Sequence, residues 1–445
     1  MKQKIKYCSF LEDISHFLTP QVWKQAHQAH HPAQTASRWG LHPLLWTLLT
    51  MTWLKGDSQD EKFAAAQSAY IGCHQSTRRP GKSLAGFLIA LARLPLSVMR
   101  ALASGIRQQL HPRFVDPLRI NGLLPIACDG SRLECPRSEE LQQRLGEAGK
   151  PDSAPTTYVT TMVLLPLGLL WSWRLGKGTA SEHHHLRRLL PTLPKLSLLV
   201  CDAGFLGYDL FADILQAQAS FLVRLSSRAY LYTLKELHLK RFREGTVYYW
   251  PGKECLKGRP PLKLRLLRIR GKKADVWLLT NVLDRKQISH KVASKIYRWR
   301  WKNEGLFHIY KRMLGKVKLQ SRTVALAHRE AEGSLLSLQL LLAVACQDLQ
   351  KGKGVVVMGE SPRHVLLRIR GEVQVLLRSL GPRQFAEYLR LLAQVRSQEC
   401  HRTSAKVRQQ WPRRKKTTPP KPPIIRVMGD VLKTRMAKIL NARAA

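Results

Sequence analysis

The sequence predicts an α/β fold, and the evidence for it lies between residues 118 and 225. Short apolar runs, bounded by turn-forming residues, have the length of strands, and two longer stretches carry apolar residues at helical spacing. The predicted strands are 123–129, 156–165, 169–175, 196–202 and 220–225, and the predicted helices are 182–190 and 208–217. Three strands, a helix, a strand, a helix and a strand follow one another, which is typical of an α/β domain.

The first 115 or so residues are predicted to be mainly helical. Apolar residues recur at helical spacing around 41–54, 63–70 and 84–99, and Pro95 interrupts the last of these stretches. Two prolines within 111–117 mark a boundary with the α/β region. We therefore predict a helical domain at 1–117.

Positive charge dominates the composition. The 445 residues include 74 Lys and Arg against 30 Asp and Glu, a formal net charge of +44. Such an excess repels itself unless a polyanion is present, and nucleic acid is the polyanion that we expect. A membrane surface or a scaffold RNA would also attract the charge, but neither accounts for the carboxylates described below.

The eight cysteines form no close CxxC pair, so their spacing predicts neither zinc sites nor a disulfide framework. The N-terminus does not resemble a secretory signal, and no apolar run reaches the roughly 18 residues of a membrane span. We therefore predict a soluble, cytoplasmic protein with reduced thiols and no membrane partner.

Residues 297–311, YRWRWKNEGLFHIYK, are predicted to form a helix, since they include no Pro and one Gly. At about 100° per residue, Tyr297, Arg300, Glu304 and Lys311 fall within an arc of about 60°. A divalent metal holding a phosphate suits such a face, because a carboxylate ligates the metal while cations meet phosphate oxygens. The alternative is a solvated face with an Arg300–Glu304 pair worth about a few tenths of a kcal/mol.

The spacing of these four residues resembles the Tyr-Arg-Glu-Lys signature of the DDE transposases of the "insertion sequence four" family, which include the transposon-five type. Two, three and six residues separate Tyr297, Arg300, Glu304 and Lys311, as the signature requires. Asn303 departs from the family, in which an apolar residue commonly precedes the glutamate.

Two upstream motifs extend the resemblance. Asp129-Gly130-Ser131 and Asp202-Ala203-Gly204-Phe205 each end an apolar run, and they are similar to the family's motifs around its first and second catalytic aspartate. Taken singly, each aspartate could be a turn residue that ends a strand. Three motifs in the family's order favour the resemblance over coincidence.

The resemblance implies the domain organisation. It implies a ribonuclease-H-like catalytic core at 118–345, with a β-rich insertion at about 226–283 in which strand-like runs occupy 246–250, 262–270 and 276–280. The helical N-terminal domain would bind DNA ends, although a scaffold packed on the core is an equal alternative. A helical C-terminal region at 346–400 could serve dimerisation, and 401–445 is predicted to be a basic, Pro-rich tail.

The resemblance also assigns the site residues. Asp129, Asp202 and Glu304 would hold two Mg²⁺ (or Mn²⁺) ions for two-metal phosphoryl transfer, as suits hard oxygen ligands. Tyr297, Arg300 and Lys311 would bind the DNA terminus. In similar proteins an aromatic residue of the insertion stacks on a flipped base, and we predict Trp250 for this role, with Trp277 in the core.

The implied reaction is cut-and-paste transposition of an insertion sequence. The protein would cleave double-stranded DNA at terminal inverted repeats, pass through a hairpin and join the ends to target DNA, as a homodimer in the synaptic complex. Two alternatives stay open, a catalytically inactive DNA-binding descendant and a nuclease of the same fold without strand transfer.

Three adjacent histidines, His183, His184 and His185, could suggest a metal site. On a helix, adjacent side chains point about 100° apart, so three in a row cannot all ligate one ion well. We therefore predict no metal there.

Overall fold

A computed structural model describes residues 9–30, 38–74, 79–146, 153–238, 241–271, 274–352, 355–399 and 421–444. The first 20 residues of the predicted basic tail, 401–420, lie outside the described residues, as do Cys8 and Cys400.

One large mixed sheet organises the molecule. Its strands are β1 (Leu124–Glu134), β2 (Thr156–Leu164), β3 (Leu169–Lys177), β4 (Ser197–Cys201), β5 (Ser220–Arg224), β6 (Tyr230–Thr233), β7 (Glu244–Tyr249), β8 (Leu262–Ile269), β9 (Val276–Thr280) and, after the hairpin β10 (Gln350–Gly352) and β11 (Val355–Val357), β12 (Ile424–Val427). Within the described residues, the spatial order is β12-β6-β7-β8-β9-β5-β4-β1-β2-β3. β1, β2 and β3 are antiparallel, and β4 and β5 continue parallel to β1.

Helices cover the sheet and extend beyond it. They are α1 (Ser9–Ser15), α2 (Pro20–Gln28), α3 (Leu41–Trp53), α4 (Gln59–Cys73), α5 (Leu84–Arg93), α6 (Leu96–Phe114), α7 (Glu139–Leu145), α8 (Glu182–Leu189), α9 (Tyr208–Gln216), α10 (Gly252–Leu256), α11 (His290–Trp299), α12 (Trp301–His308), α13 (Val324–Ala345), α14 (Pro362–Arg378), α15 (Pro382–Glu399) and α16 (Asp430–Ala444). Ser58, Ser83, Ser181 and Thr323 cap α4, α5, α8 and α13, because each side chain accepts a backbone N–H of the first turn.

The predicted fold class is confirmed. Strands β1 to β5 and helices α8 and α9 fall where the apolar patterns predict them, and the order β3-β2-β1-β4-β5 is consistent with a ribonuclease-H-like core. Each pattern is local, since a strand or helix that buries one face records that face in its own sequence.

Helix α13 joins the N-terminal helices to the sheet. Its 22 residues are almost entirely buried, and it packs against α3, α5, α6 and β3. Trp53 of α3 donates its indole N–H to the Ser337 carbonyl at 3.0 Å, while the Gln339 side chain donates to two carbonyls of β3. One continuous apolar core therefore runs from the N-terminal helices into the sheet. The N-terminal helices therefore pack on the core, and the DNA-end-binding role of residues 1–117 stays a prediction, as does the domain boundary.

The insertion extends the main sheet. β9 pairs antiparallel with β5, and β8, β7 and β6 follow outward. The sequence prediction located β7, β8 and β9 but missed β6 and α10, which are short. It also missed β12, whose residues pair with residues of β6 that lie 194 positions earlier in the chain (424 − 230 = 194). Part of the predicted tail is therefore a sheet edge followed by helix α16.

The first strand corrects one expectation. β1 runs to Glu134, so Asp129 lies within the strand and does not end it. The apolar run stops at Cys128, but pairing with β2 continues from Asp129 opposite Thr161 to Glu134 opposite Thr156. Hydrogen bonds to a neighbouring strand maintain a polar stretch that no apolar pattern marks.

Among the described residues, no single helix is both long and apolar enough to cross a membrane, although the bent pair α5 and α6, which meet at 82°, passes that test by length and composition together. The six described cysteines are free thiols, and Cys128 and Cys201 are fully buried beside the two aspartates.

Candidate active site

Two aspartates lie side by side on neighbouring strands. β1 and β4 are parallel, and the last register pair of their ladder directly precedes Asp129 and Asp202. The two carboxylates therefore leave the sheet at the same level. Asp129 Oδ1 accepts the Gly130 N–H at 2.8 Å, and Asp202 Oδ1 accepts the Ala203 N–H at 2.6 Å. These local hydrogen bonds orient both side chains.

The stretch at 297–311 is helical, as predicted, but it is not one regular helix. α11 ends at Trp299, α12 begins at Trp301, and Ile309–Met313 forms a π-helical turn. The π turn alters the angular position of Lys311 on the helix. Its ammonium nevertheless reaches β1, where it donates to Ser131 Oγ at 2.7 Å and to the Arg132 carbonyl at 3.0 Å.

Arg300 lies between two of the predicted carboxylates. One terminal nitrogen contacts Asp129 Oδ2 and the other contacts Glu304 Oε1, each at 3.4 Å. The side chain is only 7% exposed, whereas the Glu304 side chain is 45% exposed. Arg300 therefore links the helix to the first strand and holds Glu304 across from Asp129.

Tyr297 is mostly buried next to Arg300. The guanidinium carbon lies 5.8 Å from the centre of the phenol ring. Burial raises the pKa of Tyr297 to about 12, so the phenol stays protonated at neutral pH. Its hydroxyl is thus available as a donor.

The carboxylates at the site are of the chemical type that binds a divalent cation, but they do not lie close enough together to share one. Burial raises the pKa of Asp129 to about 6; the Gly130 N–H and Arg300 oppose the rise, and Glu182 and Asp202 add to it. Negative charge therefore remains to be balanced, as oxygen-ligated Mg²⁺ or Mn²⁺ would do. Within the described residues, however, no three Asp, Glu, His or Cys side chains lie close enough to hold one ion.

The predicted convergence of three carboxylates is therefore incomplete in this structure. Asp129 and Asp202 are neighbours, but Glu304 meets Asp129 only across the Arg300 guanidinium. A shared metal site would require the exposed Glu304 side chain and Arg300 to rearrange.

A fourth carboxylate, which the sequence did not predict, lies between the two aspartate motifs. Glu182 is the first residue of α8, and its Oε1 accepts a hydrogen bond from the Tyr158 hydroxyl. A Cβ added at Gly130 would overlap the Tyr158 hydroxyl and lie 2.9 Å from Glu182 Oε1, and one added at Gly204 would lie 3.2 Å from Glu182 Oε2. Glu182 therefore packs against the backbone of both motifs, and the glycines leave room for it.

The three adjacent histidines point to different places, in agreement with the prediction that they do not share an ion. His185 is buried with Nδ1 2.9 Å from Thr160 Oγ1. His183 Nε2 lies 2.8 Å from the Gly204 carbonyl, and His184 is exposed.

The position of Trp250 does not support its predicted role in base stacking. Its side chain is 1% exposed and packs with Cys255 and Met428, while its indole N–H donates to the Arg259 carbonyl at 2.7 Å. Met428 lies in the C-terminal segment, so no local pattern around Trp250 could show that Met428 would pack on it. Trp277 is buried, as predicted.

An exposed aromatic does lie at the site, on the helix that carries Glu304. Trp301 is 62% exposed, and its ring centre lies 5.7 Å from the Arg300 guanidinium carbon. No motif in the sequence marks it.

Comparison with known proteins identifies one matching family model. Residues 122–340 match the family model described as Transposase DDE domain. This DDE region contains Asp129, Asp202 and Glu304, and the match supports a transposase function. The finer assignment to the "insertion sequence four" family stays a resemblance.

No curated protein matches the sequence. One similar solved structure is described as a cryo-EM structure of the piggyBac transposase synaptic complex with hairpin DNA; it is 12% identical, covers 92% of this chain and 88% of that chain, and has a TM-score of 0.44. A TM-score this low does not by itself establish a common fold.

Proposed function

We propose that the chain is a DNA transposase of the DDE type, which excises a mobile element at its terminal inverted repeats and joins it to target DNA. The observation that carries the proposal is the pair Asp129 and Asp202 at one level of two parallel strands, with Arg300 holding Glu304 opposite Asp129. A net charge of +44 favours double-stranded DNA as the partner.

Asp129, Asp202 and Glu304 are the residues that would hold the metal. Bound Mg²⁺ or Mn²⁺, two ions in this class of mechanism, would supply activation of the attacking oxygen and stabilisation of the leaving oxygen. Asp129 is held in a buried, partly desolvated position, and Glu304 is exposed enough to turn toward it. Glu182 would keep Tyr158 and both aspartate motifs in place.

Arg300 would change partners during the reaction. If Glu304 turned toward Asp129, the guanidinium would lose its two 3.4 Å contacts, and its planar fork would become free to bind a phosphate of the DNA end. Lys311 lies beside β1 and would contact the same strand of DNA. The Tyr297 hydroxyl would donate a hydrogen bond to that DNA end. Together these groups would stabilise a bent, hairpin DNA terminus in which phosphates are crowded.

Trp301, and not Trp250, is the aromatic that we propose for stacking on a base. Stacking of a base on an exposed aromatic is worth about 1–3 kcal/mol. Trp301→Ala should therefore weaken binding to end DNA and lower the fluorescence change of a 2-aminopurine placed at the terminus. Trp250→Phe, a buried change, should leave that signal unaltered, and the reverse pattern would restore the original assignment.

The decisive experiment is cleavage of DNA that carries the inverted repeats flanking the gene. Asp129→Ala, Asp202→Ala and Glu304→Ala should each abolish cleavage while retaining DNA binding, and the exposed Asp284→Asn should behave as wild type. Full nicking by any of the three alanine variants would remove that residue from the site.

The same assay separates the alternatives. Joined products support a transposase, cut but unjoined DNA indicates a nuclease, and binding without cutting indicates an inactive descendant.

Arg300→Ala or Lys311→Ala should slow hairpin formation more than first-strand nicking, and equal slowing of both steps would count against their proposed role. Crosslinking on end DNA would test the homodimer proposed for the synaptic complex.

A further inference from the structure

A cavity of about 140 Å³ lies at the β3 edge of the sheet, on the opposite side of β2 from Asp129. α6, β3, α8 and α13 form its walls. Four arginines line it: Arg100 and Arg107 from α6, Arg174 from β3 and Arg188 from α8. Four guanidinium groups from three separate elements thus converge on one small space.

The cavity has too little negative charge to balance these groups. Glu332 of α13 is the single carboxylate among its described lining residues, and its Oε2 accepts the Trp173 indole N–H at 2.5 Å. None of the four arginines makes a hydrogen bond or ion pair to a described residue. Even with Glu332 ionised, the lining carries three excess positive charges.

Arg100 and Arg188 are exposed, whereas Arg107 and Arg174 are partly buried, and for these two the charge excess is unfavourable without an anion. Burial, then the charges of Arg100 and Arg188, lower the pKa of Arg174, and burial lowers the pKa of Arg107 to about 10. Both shifts have the direction expected of cations held near one another in a partly desolvated space. An anion in the cavity would offset the repulsion among the guanidinium groups by attracting each of them.

We propose that this cavity binds a phosphate group. Guanidinium forks match phosphate oxygens in geometry and charge, and a lining of several arginines favours phosphate over a carboxylate, which carries less charge. The volume is enough for one phosphate and a few waters, given about 30 Å³ for each water.

The phosphate could belong to the DNA backbone or be a free anion. Arg174 is paired with Thr160, which is paired with Gly130, so the cavity lies two strands, or roughly 10 Å, from the residue that follows Asp129. DNA bound at the candidate active site could therefore reach it. The case in which the phosphate belongs to DNA rests on the proposed function. The binding of phosphate in the cavity does not.

Thermal unfolding of the full-length protein in inorganic phosphate, against chloride of equal ionic strength, tests the first step. Phosphate should raise the Tm of the wild type, and the rise should be largely lost in Arg174→Gln and in the more accessible Arg188→Gln. Arg144→Gln removes an equal charge at an exposed position of α7 and should keep the full rise. In chloride alone, Arg174→Gln should be at least as stable as wild type, because it relieves repulsion.

DNA binding distinguishes the two sources. If a backbone phosphate enters the cavity, the slope of log Kobs against log salt should fall by about 1 in Arg174→Gln and Arg188→Gln relative to Arg144→Gln. An unchanged slope with phosphate stabilisation lost would indicate a free anion. Equal phosphate stabilisation in all variants together with equal slopes would overturn the proposal. Asp129→Ala should keep both behaviours, so failure of the proposed catalysis would not be mistaken for failure of this site.

Discussion

Replacing Gly130 with alanine tests the arrangement around Asp129 with a single methyl group. Gly130 lies in an ordinary strand, so its backbone conformation accepts alanine. The added Cβ would overlap the Tyr158 hydroxyl and approach Glu182 Oε1 to 2.9 Å. The obstacle is therefore space, and the Tyr158–Glu182 pair creates it.

The expected loss of stability follows from that contact. Overpacking by one methyl group typically costs about 1–3 kcal/mol, and breaking a hydrogen bond to a charged acceptor costs about 1.5–3 kcal/mol. We expect Gly130→Ala to lower the free energy of unfolding by about 2.5–6 kcal/mol, the sum of the two terms. Because Asp129 precedes the altered residue, displacement of its carboxylate by about 1 Å should reduce cleavage roughly 100-fold.

Urea unfolding and end-DNA cleavage measure the two effects. Gly371→Ala is the matched control, since Gly371 is an exposed residue of α14 and no atom lies within 4 Å of the added Cβ. It should stabilise by about 0.5–1 kcal/mol, as alanine does in a helix. Adding Tyr158→Phe to Gly130→Ala removes the overlapped hydroxyl and should recover part of the stability. If Gly130→Ala unfolds at the same urea concentration as wild type, the contact between α8 and the first motif is not as described.

Three further predictions concern stability and binding. Glu330→Ala should cost about 3–5 kcal/mol in urea unfolding, because it leaves the mostly buried Lys316 ammonium, which lies 2.9 Å from the carboxylate, without that partner. Glu387→Ala, in a surface ion pair, should cost under about 1 kcal/mol. Burial, with smaller contributions from neighbouring histidines, lowers the pKa of His42 to about 4 from 6.5. The unfolded chain therefore takes up the proton first, and the free energy of unfolding should fall as pH drops from 6.5 toward 4. His42→Gln should make that free energy depend less on pH, and an unchanged slope would contradict the prediction. DNA affinity should fall steeply with salt, and a flat log–log slope would exclude a phosphate-dominated interface.

Much of the fold could be predicted from the sequence, because its signals are local. Strands β1 to β5 and helices α8 and α9 each bury one face, and that face appears as a period of apolar residues. The short β6 has only four residues and carries no such period. β12 depends on pairing with β6 across most of the C-terminal half of the chain, which no local pattern records.

For the candidate site, the sequence predicted which residues take part but not how they contact one another. The sequence placed Asp129 and Asp202 after apolar runs and put Tyr297, Arg300, Glu304 and Lys311 on a helical stretch. Their catalytic roles stay predictions. Sequence alone could not show that Arg300 lies between Asp129 and Glu304, since that contact joins residues 171 positions apart.

By itself, then, the sequence determined the α/β class, the excess of positive charge and the chemical types of the residues at the site, because these follow from composition and from periods within single elements. Only the tertiary structure decided that Trp250 is covered by Met428, that Glu182 lies against both aspartate motifs, and that four arginines meet at the edge of β3. Each of these depends on which elements pack together, and distant segments of the chain settle that packing jointly through the burial of a shared core.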